Sequence, residues 1–559
     1  MQKTCPHCGN TFNISAEDLA FYKDISPAFG GKTYPMPPPT LCPDCRHQRR
    51  LAFRNERRLY SRHCDLCKQS IVSVYSPGKP LTVYCHECFW SDTWDPCSFG
   101  RAIDFRTSFF DQFAALLRSV PLLSNIAFNS VNSDYNVFCV DSKNCYLSTR
   151  VVGEEIYYSY LALNSLWCVD CYDVFGCQYC YECVDCWTCY TTRYSRLCRN
   201  CSDCSFCFDC IGCRHCIGCV GMRNTEYALF NKKCSKEEYE EYLRSHPTDS
   251  LQKTAETQKR FVETVLLPHP VRALIIDQSE NAQGNYISRS KNIRDCFDVE
   301  ETDTAAHSWG VEYSKDIVDG EFIYKAERCY EQISNNQSVN IFHSFGAYNS
   351  HDLRYCMQCF NSSHDCFGCV SLKQKQYCIL NKQYSKEDYE RLVPQLIEHM
   401  QKTDEWGEFF PASISTFGYN ESVAQEFFPL TKEEALQKGF QWSSEEVPAP
   451  AVKRTIKAAQ LPDTTSEVPD DILHWAIECE ITGKPFRIIR QELDFYRKQS
   501  LPLPRKHPDE RHQARFALRN PRKLWPRQCM KCQKEIETTY APERSEIVYC
   551  EECYREIIY

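Results

Sequence analysis

The 559-residue sequence lacks the features that mark membrane proteins, secreted proteins and several classes of enzyme. No run approaches the roughly 18 apolar residues that span a membrane, and the first residues lack the charged-then-apolar pattern of a secretory signal. The G-x-S-x-G, H-E-x-x-H and dinucleotide-binding fingerprints are also missing. These absences favour a cytoplasmic, non-enzymatic protein with no membrane partner, in a compartment where thiols stay reduced.

Cysteine is present in an extreme amount, with 39 residues that cluster as C-x-x-C pairs. In a reducing compartment this pattern indicates metal sites or catalytic thiols before disulfides. The length predicts several domains. The net charge is −9, yet residues 484–530 hold thirteen Lys or Arg against four Asp or Glu. A polyanion would therefore meet the ends of the chain and not its middle.

Three sets of paired C-x-x-C motifs have the spacing of four-cysteine zinc sites, because two such pairs complete a tetrahedron around one ion. The ligands are Cys5, Cys8, Cys42 and Cys45; Cys64, Cys67, Cys85 and Cys88; and Cys529, Cys532, Cys550 and Cys553. A site with four protein ligands has no open coordination position. The sequence therefore predicts three structural Zn²⁺ ions that do not activate water.

The two ends of the chain are copies of one module, since Phe12 and Leu19 near the start match Phe486 and Leu493 near the end. In the second copy, the four positions of the first metal site hold Cys479, Thr482, His507 and Glu510. Threonine is not a zinc ligand, so the sequence favours a lost site over a Cys/His/Glu site.

An arginine stripe follows the second C-x-x-C pair of each module, at helical i, i+4 and i+3 steps. Its members are Arg46, Arg50, Arg54 and Arg57 in the first module, and Arg511, Arg515, Arg519 and Arg522 in the second. Such a stripe is often a solvated helix face. Since both copies keep it, the alternative is contact with phosphates of RNA, DNA or a ribonucleoprotein.

The middle of the chain holds two repetitive arrays. Every cysteine from Cys168 to Cys219 lies at a multiple of three from the last, and a second array over 281–375 repeats every twelve residues, as in Ile293, Ala305 and Ile317. Twelve residues of about 3.3 Å each form a coil only about 40 Å around. The period predicts narrow β-solenoids with small inward residues, and it resembles the twelve-residue β-helix of beetle antifreeze proteins in coil geometry only.

Three interpretations fit the cysteines at 168–219. They could serve as small apolar core residues, as ligands of zinc or iron–sulfur clusters, or as partners in cross-core disulfides. The second array builds the same coil with few cysteines, which favours the first interpretation. Both arrays end in matching sequences where Ser235 and Ser385 are expected to cap a helix.

The fold class predicted from these patterns is a mainly β multidomain protein. Duplicated zinc-ribbon or treble-clef-like modules flank two narrow twelve-residue-coil β-solenoids with helical caps. The expected segments are a tandem ribbon module at 1–100, a first solenoid at 124–243, a helix and linker at 244–280, a second solenoid at 281–402, a loop-rich linker at 403–470 and a second ribbon module at 471–559.

Several motifs resemble a family of long, uncharacterised cysteine-rich zinc-ribbon proteins of candidate-phylum bacteria. They are Cys42-Pro-Asp-Cys-Arg-His-Gln-Arg-Arg, Thr482-Gly-Lys-Pro-Phe-Arg-Ile-Ile, Glu492-Leu-Asp-Phe-Tyr, Leu501-Pro-Leu-Pro-Arg and Val548-Tyr-Cys-Glu-Glu-Cys-Tyr. Members of that family sometimes carry a CoA-transferase label. The label implies a large α/β fold with a catalytic aspartate, and the sequence gives no sign of either.

The function expected from the sequence is zinc-dependent binding of nucleic acid or ribonucleoprotein through the two arginine stripes. A protein interaction scaffold is the first alternative, because repeat surfaces often bind proteins. A metal-cluster or redox protein that uses the 168–219 cysteines is the second. The sequence does not indicate an oligomeric state.

Overall fold

The computed structural model describes residues 1–321, 327–331, 333–335, 345–347, 351–360, 363–445, 452 and 454–558. The fold is mixed and rich in sheet, with twelve α-helices among these residues. Two compact units form, and each joins a terminal module to the array that lies farther away in sequence. Unit 1 comprises Met1–Asn125 and Ile275–Glu445, and unit 2 comprises Ile126–Leu274 and Glu446–Tyr559.

The N-terminal part of unit 1 consists of short hairpins and helices. Its strands are Gln2–Thr4, Thr11–Asn13, Ala28–Phe29, Lys32–Thr33, Tyr60–His63, Ser70–Ser73, Val83–Tyr84 and Leu122–Leu123, and its α-helices are Ala16–Asp24, Pro43–Leu51, His86–Trp90 and Phe109–Leu117. A 3₁₀ turn covers Pro96–Phe99. Ser15 starts the first helix with a capping box that includes Asp18, because both side chains satisfy backbone N–H groups that the first turn leaves unpaired.

The first array, residues 126–233 of unit 2, is built from parallel strands with a twelve-residue register. Tyr160 pairs with Tyr172, and Tyr172 pairs with Val184. The strands are Ala127–Phe128, Val137–Val140, Thr149–Tyr157, Tyr160–Val169, Tyr172–Phe175, Val184–Trp187, Arg214–Ile217 and Glu226–Leu229, followed by the antiparallel Lys232–Lys233. Isolated parallel bridges continue the same spacing between Val184 and Arg214.

The backbone of the first array turns after every third residue. Each third residue from Asp170 to Tyr227 has a positive φ, and each is followed by a residue that faces the interior. Asp, Asn and Gly tolerate this left-handed conformation best. They recur at these corners, as at Asp185 and Asn200. The cysteines of the 168–219 run are accordingly buried in one continuous core.

The second array, residues 275–383 of unit 1, repeats this construction. Its strands are Ile276–Asp277, Glu280–Ser288, Lys291–Glu300, Asp303–Ala306, Trp309–Glu312, Lys315–Val318, Glu327–Tyr330, Ile333–Asn335, Phe345–Ala347, His351–Arg354, His364–Phe367, Gln376–Ile379 and Lys382–Gln383. Ile293, Ala305 and Ile317 are buried as the spacing predicts. The parts of the predicted repeat at 322–326, 332, 336–344, 348–350 and 361–362 lie outside the described residues.

A helix follows each array at the predicted position. Ser235 caps Lys236–Ser245, and Ser385 caps Lys386–Lys402, each accepting a backbone N–H three residues on. These two expectations are confirmed. Helix Leu251–Phe261 and the π-helical turn Val262–Leu266 then complete the segment after the first array. Helices Ala424–Phe427 and Lys432–Gln437 follow the second.

The C-terminal part of unit 2 repeats the hairpin-and-helix pattern. Its strands are Arg454–Lys457, Trp475–Glu478, Pro485–Phe486, Trp525–Gln528, Glu535–Thr538 and Val548–Tyr549, and its α-helices are Arg490–Lys498, Pro508–Phe516 and Glu551–Ile558. Short 3₁₀ turns cover Ala412–Ile414 and Tyr419–Glu421 in unit 1, and Ala458–Gln460, Thr465–Glu467 and Asp470–His474 in unit 2. Among the described residues, none of the helices has the length and apolar character needed to cross a membrane.

Within each unit, a short strand that precedes one array pairs with the metal-binding end of a module. Leu122–Leu123 pairs with Val83–Tyr84 in unit 1, and Val271–Arg272 pairs with Val548–Tyr549 in unit 2. Both pairs are parallel. The duplication visible in the sequence therefore extends to the linkers.

Candidate metal centres

The three predicted cysteine quartets are each brought together, with the four sulfur atoms of a set within 4.8 Å of one another. Measured edges are 3.7 Å for Cys8–Cys42, and 3.8 Å for both Cys67–Cys85 and Cys532–Cys550. A tetrahedron with metal–sulfur bonds of about 2.3 Å has an edge of about 3.8 Å. The thiols therefore fit one tetrahedral metal ion per quartet.

Each quartet combines a tight hairpin turn with the start of a helix. In the turn after Cys64, the N–H of Cys64 donates to Gln69 and the N–H of Lys68 donates back to Cys64, with Lys68 at φ 64°. Cys85 and its equivalent Cys42 stand at the N-caps of their helices. Helix N-termini favour negative charge, so this placement stabilises thiolates.

Backbone N–H groups also point at the sulfur atoms. Cys85 N donates to Cys64 Sγ at 3.3 Å, and Cys550 N donates to Cys529 Sγ at the same distance. Burial raises the pKa of the Cys64 thiol, but these donors outweigh it and lower that pKa to about 7. Burial also raises the pKa of the Cys529 thiol, but backbone N–H donors outweigh this effect and lower that pKa to about 6. The lowered pKa values of Cys64 and Cys529 thus favour the thiolate form that a metal ligand requires.

The degenerate metal site of the C-terminal module keeps the hairpin turn of the intact sites but lacks four gathered ligands. Gly483 N donates to Cys479 O at 2.9 Å, as in the intact sites. His507 caps helix Pro508–Phe516, and its Nδ1 atom accepts the N–H of Asp509 at 3.1 Å. Among the described residues, Cys479, His507 and Glu510 do not form a group with ligand atoms within 4.8 Å of one another. Cys479 packs instead with Phe486 and other buried apolar residues.

Five of the eight arginines in the two stripes are buried, which corrects the expectation of a surface available to phosphates. Arg46 and Arg50 are 2% and 0% exposed, and Arg511 and Arg515 are 4% and 3% exposed. Arg54 is buried against Glu56, and Arg519 lies 3.0 Å from Asp185. Arg57 and Arg522 are partly exposed, and Arg57 lies 3.6 Å from Glu426. Side chains this deeply buried do not reach a phosphate backbone in this fold.

The stripes also extend past the helices that begin them. The first helix ends at Leu51 and the second at Phe516, so a helix that runs through Arg57 is a wrong expectation. Beyond the end of the first helix, the carbonyl of Arg54 accepts the N–H of Val423, 2.8 Å away. Arg54, Arg57, Arg519 and Arg522 therefore lie on irregular segments.

In unit 1, the arginine side chains of the stripe contact carboxylates of the second array. Arg46 Nη2 lies 2.8 Å from Asp319 Oδ2, and Arg50 Nη1 lies 3.6 Å from Asp319 Oδ1. Arg50 Nε also lies 3.1 Å from Glu321 Oε1. Both carboxylates are at most 1% exposed. Because the charges of these carboxylates are removed from water, each carboxylate requires its arginine partner to be present.

In unit 2, the same arrangement recurs on the first array. Arg511 and Arg515 both contact Asp170, which is fully buried. Asp170 and Asp319 each sit at a left-handed corner, with φ of 55° and 62°. Sequence reasoning missed both aspartates, since aspartate is common at such corners and nothing marks these two. We call each set of two arginines and one aspartate an arginine clamp.

Glu492 adds a second acid to the clamp of unit 2. It accepts hydrogen bonds from Tyr158 at 3.0 Å and Tyr496 at 2.9 Å, and Arg511 lies 3.7 Å away. Burial, aided by the charge of Asp170 and opposed by Arg511, raises the pKa of the Glu492 carboxyl to about 7. Its counterpart Asp18 pairs with Arg294, and the pKa of that carboxyl is lowered although burial opposes the change. The carboxyls at these equivalent positions of the two modules thus differ in protonation near neutral pH.

No protein-family model, curated protein or solved structure matches the chain, so the resemblance drawn from the sequence motifs stays a prediction.

Proposed function

We propose that this chain is a non-enzymatic zinc protein of the cytoplasm, in which three ions hold zinc-ribbon modules and each module clamps one β-solenoid to form a surface for protein interactions. Four thiolates in a tetrahedron suit Zn²⁺ and leave no position for substrate. Because a closed site of this kind contributes to folding and not to catalysis, the metal's role is structural.

The observation that carries the proposal is the arginine clamp. Two buried arginines meet Asp170 in unit 2, and two meet Asp319 in unit 1. In each module the clamp helix starts beside the metal site or its remnant, at Cys42 or His507. The ribbon fixes the helix, and the helix fixes the array. This use of the arginines favours the scaffold over nucleic-acid binding.

A protein partner fits the exposed side chains of the first array better than a polyanion does. Tyr135, Phe175 and Tyr190 are 49%, 40% and 49% exposed. Tyr and Phe are enriched at protein interfaces, where they bury large areas at low conformational cost. The proposal therefore takes a protein as the partner and these aromatic side chains as contacts.

Two measurements on the full-length protein test this function. A photo-crosslinking residue in place of Tyr190 is expected to join a discrete protein in cells, whereas the same residue at exposed Leu436 is not. In vitro, fluorescence anisotropy with single-stranded RNA and duplex DNA is expected to show no salt-sensitive binding. Tight binding that weakens steeply with salt, and that an Arg57→Glu/Arg522→Glu variant loses, would replace the scaffold with nucleic-acid recognition.

A further inference from the structure

The interior of the first array is a continuous column of thiols. Fifteen cysteines from Cys168 to Cys219 are each at most 1% exposed and belong to one buried cluster. In the metal-free protein, each thiol can donate to backbone carbonyls, as Cys168 does to the oxygen of Cys177 at 3.5 Å. The thiols are thus held in fixed positions along the column.

The thiols also contact one another along and between coils. The thiol of Cys186 interacts with those of Cys183, Cys189 and Cys198, and the thiol of Cys201 interacts with four others. Val174, Thr192 and Ser195 replace three cysteines of the series. Interactions through Cys180, Cys198 and Cys201 continue the column past them. The thiols of one buried cluster thus neighbour one another from one end of the run to the other.

The geometry of the coil does not by itself require cysteine at the interior positions. The interior of the second array is filled in its first coils by Ile287, Ile293, Val299, Val311 and Ile317, with one cysteine in that cluster, Cys296. Cysteines become frequent only in its last coils, at Cys356, Cys359, Cys366, Cys369 and Cys378. The same twelve-residue register holds in the first coils. A role for sulfur itself explains the difference, since any small apolar side chain would otherwise serve.

From this arrangement we infer that the thiol column binds a chain of Cu(I) ions. Soft thiolates select Cu(I), an ion that accepts two sulfur ligands in a linear arrangement and shares them between neighbouring ions. Outside the three ribbon quartets, no set of three or more described cysteines has all its sulfur atoms within 4.8 Å. The column therefore offers adjacent pairs for bridging and not the tetrahedra that zinc requires.

Charge balance points to the same metal. One Cu(I) per thiolate leaves the dry interior neutral, whereas each Zn²⁺ with four thiolates would bury two negative charges. Each sulfur that bonds copper releases its S–H proton to solvent, so binding n ions by n thiols liberates n protons. Neither copper nor sulfur changes oxidation state. The upper limit is about one ion per thiol, or fifteen per chain.

Met222 marks an entry point. It continues the series of Cys186, Cys198 and Cys210 at the next twelve-residue step, packs against the thiol cluster and is partly exposed. A thioether is a soft ligand that binds Cu(I) without losing a proton. The column thus has a copper-accepting side chain where it approaches solvent.

The test titrates the reduced, zinc-loaded full-length protein with Cu(I) under argon, in competition with bathocuproine disulfonate. We expect uptake of several equivalents with the zinc retained, proton release equal to copper bound, and the emission of Cu(I)–thiolate clusters shielded from water. Copper uptake matched by zinc release would place the metal on the ribbons and overturn the inference. So would a failure to compete with the chelator.

Variants locate the copper. Cys183→Ala/Cys186→Ala/Cys207→Ala/Cys210→Ala is expected to lower the capacity by about four equivalents, because each removed thiol accounts for about one ion. The matched control Cys296→Ala removes an equally buried thiol from the second array and should leave capacity unchanged. Unchanged capacity in the fourfold variant, with its circular dichroism intact, contradicts the inference.

A measurement on the unaltered chain covers the case in which that variant fails to fold. X-ray absorption of the copper-loaded protein should show sulfur as the sole nearest neighbour and a short copper–copper distance. Nitrogen or oxygen ligands, or isolated copper ions, would contradict a bridged thiolate column. Met222→Leu should slow uptake several-fold at unchanged capacity.

Discussion

The Nη1 atom of Arg515 lies 2.7 Å from Oδ1 of Asp170, and neither side chain reaches solvent. The two residues are separated by more than 340 positions, since the neighbouring Arg511–Asp170 pair spans 341. The C-terminal module is therefore joined to the first array by charges that depend on each other. Asp319 plays the same part for Arg46, which lies 273 positions away.

Asp170→Asn is expected to destabilise unit 2 strongly. The substitution leaves Arg511 and Arg515 buried without their shared counter-charge, and breaking a buried pair costs about 3–5 kcal/mol. Chemical denaturation, with limited proteolysis as the readout of unfolding, measures the change in the free energy of unfolding. The control Asp173→Asn removes a partly exposed acid 3.5 Å from Arg519, and should cost less than about 1 kcal/mol. Equal effects from the two variants would argue against the clamp.

The stability of unit 2 is expected to fall as pH rises from about 4.5 to about 7. The pKa of Glu492 is raised from 4.5 in the unfolded chain to about 7 in the fold. Between these values the unfolded chain has released the proton and the fold retains it, so the contribution is full at low pH and lost above 7. Its size is on the order of 3 kcal/mol.

Glu492→Gln provides the comparison, because the amide stays neutral at every pH. The variant should be more stable than the unaltered protein at pH 8, and the difference should shrink towards pH 5. Free energies of unfolding from urea titrations at both pH values measure it. A difference that is constant with pH would mean that Glu492 does not titrate in this range.

Zinc content should respond to Cys532 and not to Cys479. Cys532→Ser removes a ligand from an intact quartet. The zinc content measured by elemental analysis is expected to fall from three ions per chain to two. Cys479→Ser alters the matching turn of the degenerate position, where the ligand atoms are not gathered, and should leave three. A loss of zinc from the Cys479 variant would mean that the degenerate position binds metal.

Gly153→Ala is expected to cost more than about 3 kcal/mol in the free energy of unfolding. Gly153 has a φ of +150°, and a Cβ atom there would lie 2.1 Å from the carbonyl oxygen of Ser165. Gly483→Ala is the matched control in the same unit, with a φ of +69° and open space around the added atom. Its cost should stay near 1 kcal/mol, the strain of the backbone alone. Thermal unfolding of both variants measures the difference.

The sequence predicted the quartets well because their information is local. A C-x-x-C pair fixes its own turn, and only the pairing of turns had to be inferred, as for Cys64 with Cys85. Inward positions such as Ile293 could be predicted for the same reason, since a period of three selects one face of a coil.

The surroundings of the arginines could not be predicted, because charge spacing is the same for a solvated stripe and a buried one. What decides whether Arg50 is solvated or buried is Asp319. An aspartate, Asp295, also stands at the equivalent corner two coils earlier. Asp319 also serves as a left-handed corner, a role that explains its presence without any partner. Long-range charge pairing thus left no mark on either segment taken alone.

The interleaved make-up of the units has a consequence for synthesis on the ribosome. Unit 1 is complete only when residue 445 has emerged, and unit 2 draws on the chain from Ile126 onwards and ends with the last residues. The first array therefore emerges long before helix Pro508–Phe516, and the buried charge of Asp170 has no partner until Arg511 and Arg515 have been made. No contiguous fragment from either half of the chain contains a whole unit, so truncation at the midpoint is expected to yield two incomplete folds and not two domains.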